Sequence, residues 1–380
     1  MQHTQSRVQF LDILRGVAVI IMVMGHSVDA VLSVEVRSSE WFRAYDSLRG
    51  FTAPIFLLLS GFAFSVVAER KWELYRKWNP VLVRRLARML FLVVLGYALH
   101  LPFFSFNKLV HNTQPDELAR MLQVDVLQSL AVSILVLQAV VAFSPSPAVY
   151  GRIAGGLAIG AAFVTPLFWG VDMAQVVTSP LAPYFNQREA SLFPLFPNSA
   201  FLFAGAAVGQ RYLLARNCGG EERFFGRLAI GGLLAVVLSI ALDRFPVGVY
   251  PPHDYWKANP GLILLRTGMV LAYVTLFYYF RNIPAFFARR VAALGRSSLV
   301  VYVAHLLLVY GSAANSGLMQ RVGQTLPPLA AFGVALCVLL SMVGLVSVWR
   351  YAQEQHTLPS RLVRIGLATS VLYMFFARPY

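Results

Sequence analysis

Apolar runs of about twenty residues succeed one another along nearly the whole chain, separated by short basic segments or longer polar ones. A run of that length crosses a bilayer as a helix. The pattern predicts helical spans near 10–33, 50–68, 86–105, 124–143, 149–170, 197–215, 227–243, 261–280, 298–315, 328–348 and 361–378. Alternating ten-residue segments, the mark of a membrane barrel, are absent. The expectation is an all-α, polytopic membrane helix bundle of about 10–11 transmembrane helices. No internal repeat interrupts the pattern, so residues 1–380 read as a single integral-membrane domain.

Composition agrees with this reading. The 380 residues are 58% hydrophobic and only 13% charged, against roughly a quarter charged in a soluble domain. The net charge of +15 would point to nucleic acid in a soluble protein. Here the basic residues cluster in segments 69–88, 211–227 and 281–296, which fall on one side of the predicted bundle. With Arg7, Arg152, Arg350, Arg361 and Arg364, that side holds roughly 20 basic residues and the other roughly 10. The positive-inside rule makes it cytoplasmic, puts the N-terminus inside, and explains the charge without a nucleic-acid partner. Lipid is the expected surrounding, and the bacterial inner membrane the expected location. Cys218 and Cys337, one in a loop and one in a span, form neither a disulfide framework nor a metal motif, so no metal is expected.

Against that background the polar residues inside spans stand out, because lipid makes them costly. Arg15 and His26 lie eleven residues apart in ILRGVAVIIMVMGHS. At about 100° per residue they share one helix face, separated by about 16 Å along the axis. One wall of a cavity can thus carry a guanidinium at one depth and an imidazole at another. Asp29 follows His26 at i+3, where a carboxylate either orients the imidazole or faces water in the outer headgroup region. Pro54, Ser60 and Gly61 interrupt the second span and permit close helix approach. Asp125 and Gln128, at the start of the fourth span, either face a cavity or cap the helix. Arg266 either snorkels outward or contacts an anion or carbonyl group. Ser298, Tyr302 and His305, spaced four and three apart, form a polar stripe that must face protein or water. Arg296, just before it, can meet a phosphate. Phosphate-binding glycine loops, HExxH and GxSxG are absent.

These residues together resemble a known group. Arg15 and His26 in LDILRGVAVIIMVMGHS, with FTAPIFLLLSGFAFS, FPLFPNSAFLFAGAAVGQ and LGRSSLVVYVAHLLLVYG, resemble the motifs of the acyltransferase family 3 superfamily of integral-membrane acyltransferases. The APIF and FPLFP stretches are most similar to the branch containing the heparan-α-glucosaminide N-acetyltransferase catalytic domain. The chain has no histidine between His26 and His100, so the resemblance implies His26 as its catalytic histidine. It further implies transfer of an acetyl or similar acyl group from cytoplasmic acyl-CoA, acetyl-CoA foremost, to a hydroxyl or amine of an extracytoplasmic sugar or glycan.

On that implication His26 with Asp29 is the catalytic pair, acting as general base or through an acyl-histidine. Arg15, Arg296 and Ser298 serve the donor, while Asp125, Gln128, Arg266, Tyr302 and His305 serve the acceptor. Two other readings of the same polar face compete. A transporter or flippase for a lipid-linked sugar would use it without chemistry, and an envelope assembly partner would use it for helix contacts alone.

Overall fold

A computed structural model describes residues 8–187, 191–244, 250–280, 284–354 and 358–377. Arg7 and Arg281, counted in the charge bias, lie outside them, as do the side chains of Arg361 and Arg364. The chain is 81% helical, with no strand among the described residues. The helices of ten residues or more are α1 (Gln9–Val31), α2 (Glu40–Arg49), α3 (Thr52–Arg70), α4 (Pro80–Leu99), α5 (Val126–Phe143), α6 (Pro147–Trp169) and α7 (Leu195–Asn217). They continue with α8 (Glu221–Arg244), α9 (Pro260–Tyr279), α10 (Ala285–Arg296), α11 (Ser298–Val309), α12 (Pro328–Glu354) and α13 (Leu358–Ala377).

The architecture is the expected all-α polytopic bundle. Among the described residues, seven helical stretches are long and apolar enough to cross a membrane, or eight if α10 and α11 are taken as one bent span. This is fewer than the eleven expected. α4, α7 and α13 coincide with three further expected spans but fall outside that set. α4 begins six residues earlier than the predicted span at 86 and so takes in Arg84 and Arg85 as well as Arg88 already within that span. The span expected at 298–315 ends as a helix at Val309, and α10 and α11 meet at an angle of 73°.

Helix starts follow local chemistry. Asp125, Ser146 and Asn259 cap α5, α6 and α9 by accepting hydrogen bonds from the following backbone N–H groups. Pro147 and Pro260 sit at the first helical positions of α6 and α9, where the missing N–H costs nothing.

The described chain divides into two compact units. The first comprises Met1–Thr52, Leu99–Met121 and Ile283–Tyr380. Within it α1 is central and lies against α10, α11 and α12. The crossing of α1 with α10 is close. A Cβ on Gly16 would overlap the Val291 carbonyl, and one on Gly295 would overlap the Asp12 carbonyl. At its other end α1 is tied to the chain before α12: Leu326 donates to Val31 O at 2.9 Å, and Ser33 donates to Leu326 O at 3.0 Å.

The second unit comprises Ala53–Ala98 and Leu122–Asn282. Its core gathers Leu57, Phe64, Leu137, Tyr150, Phe201 and Leu202. Gly61 packs on the Leu202 carbonyl and Gly205 on the Leu58 carbonyl, so the second-span glycine serves the α3–α7 crossing. Ser65 Oγ donates to Ala206 O at 2.8 Å and also meets the Tyr150 hydroxyl at 2.8 Å, a polar tie between helices.

Candidate active site

α1 carries the site's first residues. His26 is half-buried near the C-terminal end of α1. Its Nδ1 lies 2.9 Å from the Tyr310 hydroxyl, which follows directly after α11. A phenol both donates and accepts, so the bond fits either tautomer of His26. The His26 ring lies 5.4 Å from the His305 ring and 5.6 Å from that of Tyr310, centroid to centroid. Tyr302 lies 5.8 Å from His305, which confirms the shared face expected for those two residues. His305 is fully buried, and its Nδ1 is 2.8 Å from the Val301 carbonyl oxygen. A carbonyl only accepts, so this Nδ1 carries the hydrogen.

Tyr310 is the residue that spacing missed. It lies five positions beyond His305, off the i, i+3, i+4 stripe, and reaches His26 because α11 ends at Val309.

Asp29 is occupied differently from the pairing its spacing offers. Its carboxylate is held by both terminal nitrogens of Arg49, at 2.8 Å from Nη1. Arg37 Nη1 approaches it at 3.8 Å. The backbone carbonyl of Asp29 also accepts from Arg37 Nη2 and, at 3.2 Å, from Gln324 Nε2. Asp29 thus ties α1 to α2 and to the segment before α12. Gly25 keeps this tie compact, since a Cβ there would stand 2.7 Å from Arg49 Nε.

At the opposite end of α1, Arg15 is half-buried and Asp12 buried. Arg296 closes α10 with its guanidinium 3.9 Å from Asp12, so the cation read as a phosphate contact also has a carboxylate within reach. Ser298 opens α11 at the 73° bend and is half-buried.

Other predicted residues belong to the second unit. Asp125 and Gln128 form a capping box at the start of α5. Asp125 accepts from the Val126 N–H at 2.6 Å, and Gln128 Oε1 accepts from the Asp125 N–H at 3.1 Å. Of the two alternatives left open for this pair, the structure displays the cap. Arg266 is half-buried in α9, with no carboxylate paired to it among the described residues. A cation absent from the predicted site behaves similarly. Arg85 lies between the Phe64 and Tyr75 rings, 4.3 and 4.6 Å from their centroids, and donates to the Tyr75 hydroxyl at 2.9 Å. Its Nε is buried without a partner. The available signal was three arginines in the first turns of an otherwise apolar helix.

Among the described residues no group of three or more His, Cys, Asp or Glu side chains could hold a metal ion.

A family model described as an acyltransferase domain matches residues 8–346. No curated protein matches the chain. The matched stretch runs from the residue before α1 into the last third of α12, and so includes Arg15, His26, His305 and Tyr310. The chain therefore belongs to acyltransferase family 3, a family of membrane acyltransferases.

Proposed function

We propose that the protein works as one domain in a bacterial inner membrane. It moves an acyl group from cytoplasmic acyl-CoA, acetyl-CoA foremost, to a hydroxyl or amine of an extracytoplasmic sugar. The observation that carries the reading is the His26–Tyr310 contact beside His305, on a helix whose other half bears Arg15. Arg15 and His26 are separated by about 16 Å of helix rise, a span suited to an extended pantetheine arm. The basic side, with Arg15 and Arg296, is the donor side.

The chemistry follows from the ring contacts. With Nδ1–H donating to Tyr310, the Nε2 lone pair of His26 is left to act as general base. Nε2 takes the acceptor's proton while the acceptor oxygen or nitrogen forms a bond to the acyl carbonyl carbon. The C–S bond then breaks, and its electron pair leaves on the CoA sulfur. The proton held by His26 passes to that thiolate, which returns the imidazole to its starting form. In the acyl-histidine variant, Nε2 itself attacks the carbonyl carbon and the C–S bond breaks to release the CoA thiolate; the acceptor then displaces the imidazole, and its proton neutralises the thiolate.

Tyr302 and His305 extend the polar wall toward the acceptor. Asp29, through Arg49, holds the end of α1 that bears His26. Ser298 and Arg296 stand with Arg15 on the donor side. Arg266 answers to an anionic or carbonyl group of the acceptor, since a cation in a span with no carboxylate paired to it among the described residues is retained at a cost. Asp125 and Gln128 support the start of α5. The APIF and FPLFP stretches support a relation to the heparan-α-glucosaminide N-acetyltransferase branch, which makes a sugar amine one acceptor to test.

The test is transfer of radiolabelled acetyl from acetyl-CoA in proteoliposomes and envelope vesicles. His26→Ala is expected to abolish it. Full transfer by that variant refutes the assignment, and sugar-lipid movement independent of acyl-CoA would instead support a transporter.

A further inference from the structure

The polar residues of α1 do not account for a cavity of the first unit. It has a volume of about 370 Å³, lies between α10 and α12, and is lined by Arg289, Arg290, Ser347, Arg350, Tyr351 and Glu354, among others. Three guanidinium groups face one carboxylate. Glu354 pairs with Arg350 at 3.7 Å, and basic side chains outnumber acidic ones in the described lining. Arg290 is also steadied by the Phe286 ring, 4.6 Å from its centroid.

The position of this cavity follows from contacts within the unit. α10 crosses the first half of α1, at Asp12 and Gly16. α12 begins just after Leu326, which is bonded to the far end of α1. Its 27 residues rise about 40 Å. Arg350 and Glu354, in its last turns, therefore lie toward the end where α1 begins. The cavity shares that end with Arg15 and stands away from His26.

Positive charge at a cytoplasmic helix end needs no ligand in general. Concavity distinguishes this case. The volume falls within the range of small-molecule clefts, about 300–1,000 Å³, and exceeds what one headgroup phosphate fills. Guanidinium groups match phosphate oxygens in bidentate geometry.

We propose that the α10–α12 cavity is a phosphate-binding site. It receives the nucleotide end of the acyl-CoA donor, an anionic lipid headgroup being the other source of the same chemistry. The donor assignment rests on the acyltransferase reading above.

The test measures binding to the full-length protein in nanodiscs, so it stands whether or not transfer is seen. The probe is adenosine 3′,5′-bisphosphate in phosphatidylcholine discs. The wild-type protein is expected to bind it in a salt-sensitive manner, with displacement by inorganic pyrophosphate. The Arg290→Gln/Arg350→Gln variant is expected to bind at least tenfold more weakly. In the second arm, wild-type and variant melting are compared in phosphatidylglycerol and phosphatidylcholine discs. Loss of a phosphatidylglycerol-specific stabilisation, with nucleotide binding unchanged, supports the phosphate site and assigns it to lipid. Unchanged behaviour in both arms overturns the proposal. Should the variant fail to fold, the wild type decides: pyrophosphate that displaces no nucleotide, together with no preference for phosphatidylglycerol, overturns it equally. A protein that binds the nucleotide here but transfers no acetyl keeps the site and loses the proposed activity.

Discussion

The His26–Tyr310 bond makes a quantitative demand on catalysis. Tyr310→Phe removes one oxygen and leaves the ring that lies 5.6 Å from the imidazole. In the resting state the 2.9 Å bond joins two neutral groups, and such bonds contribute about 1 kcal/mol net. In the proposed reaction His26 takes the acceptor's proton, so Nδ1–H becomes a cationic donor, and bonds of that type contribute about 1.5–3 kcal/mol. Only the difference, roughly 0.5–2 kcal/mol, acts on the transition state. The variant should therefore lose roughly 2- to 30-fold in kcat. The KM for acetyl-CoA should stay within about twofold, since the proposed donor groups, Arg15 and Arg296 among them, stand away from the end of α1 that bears His26. The assay is the initial rate of CoA release in envelope vesicles at saturating and limiting acetyl-CoA. A kcat unchanged from wild type, or a loss carried by KM alone, would reduce Tyr310 to a packing residue and refute the reasoning.

Gly205→Ala should lower expression and thermal stability sharply, because the added methyl overlaps the Leu58 carbonyl backbone, whereas Gly156→Ala, with open space around it, should melt at or slightly above wild type in the same thermal scan. Asp29→Asn should cost about 1–3 kcal/mol by leaving Arg49 without its bidentate partner. Denaturation in detergent checks this, and Asp29→Asn combined with Arg49→Met should recover part of the loss. Arg266→Leu removes a half-buried cation that has no paired carboxylate among the described residues. It should leave melting equal or higher while acceptor turnover falls at least tenfold, and normal turnover would return Arg266 to a snorkelling role.

Much of the bundle was legible because lipid enforces a single rule, that long apolar runs become helices. α1, α3, α5, α6, α7 and α9 fall within two residues of their predicted limits, while α8 begins six residues early and α12 runs six residues further. Breaks were harder to see. The segment 281–296 read as a basic connection before a span at 298, yet Ala285–Arg296 form α10, which meets α11 at 73°. α4 extends into its arginines because Arg85 finds aromatic faces inside the unit, a tertiary contact that a charge count reads as loop. At the site, spacing identified residues on one helix face, as with Tyr302 and His305. It did not anticipate partners supplied by other segments. Arg49 reaches Asp29 from α2, and Tyr310 reaches His26 from beyond the end of α11.

That exchange of partners bears on what His26 is asked to do. A carboxylate behind an imidazole stabilises its protonated form with a full charge, while a phenol does so with a dipole. The carboxylate three residues on is engaged by Arg49 and approached by Arg37, so it serves to hold the end of α1. The oxygen aimed at Nδ1 is a phenol's. For attack on an ordinary ester this would be a modest base. A thioester relaxes the requirement, because a thiol's pKa of about 8.5 makes it a far better leaving group than an alcohol. The collapse step then needs little help, and the base need only accept a proton as the new bond forms. In the proposed reaction a phenol-supported imidazole and an activated thioester donor are therefore matched, which accounts for an acidic residue so near the histidine serving as a brace.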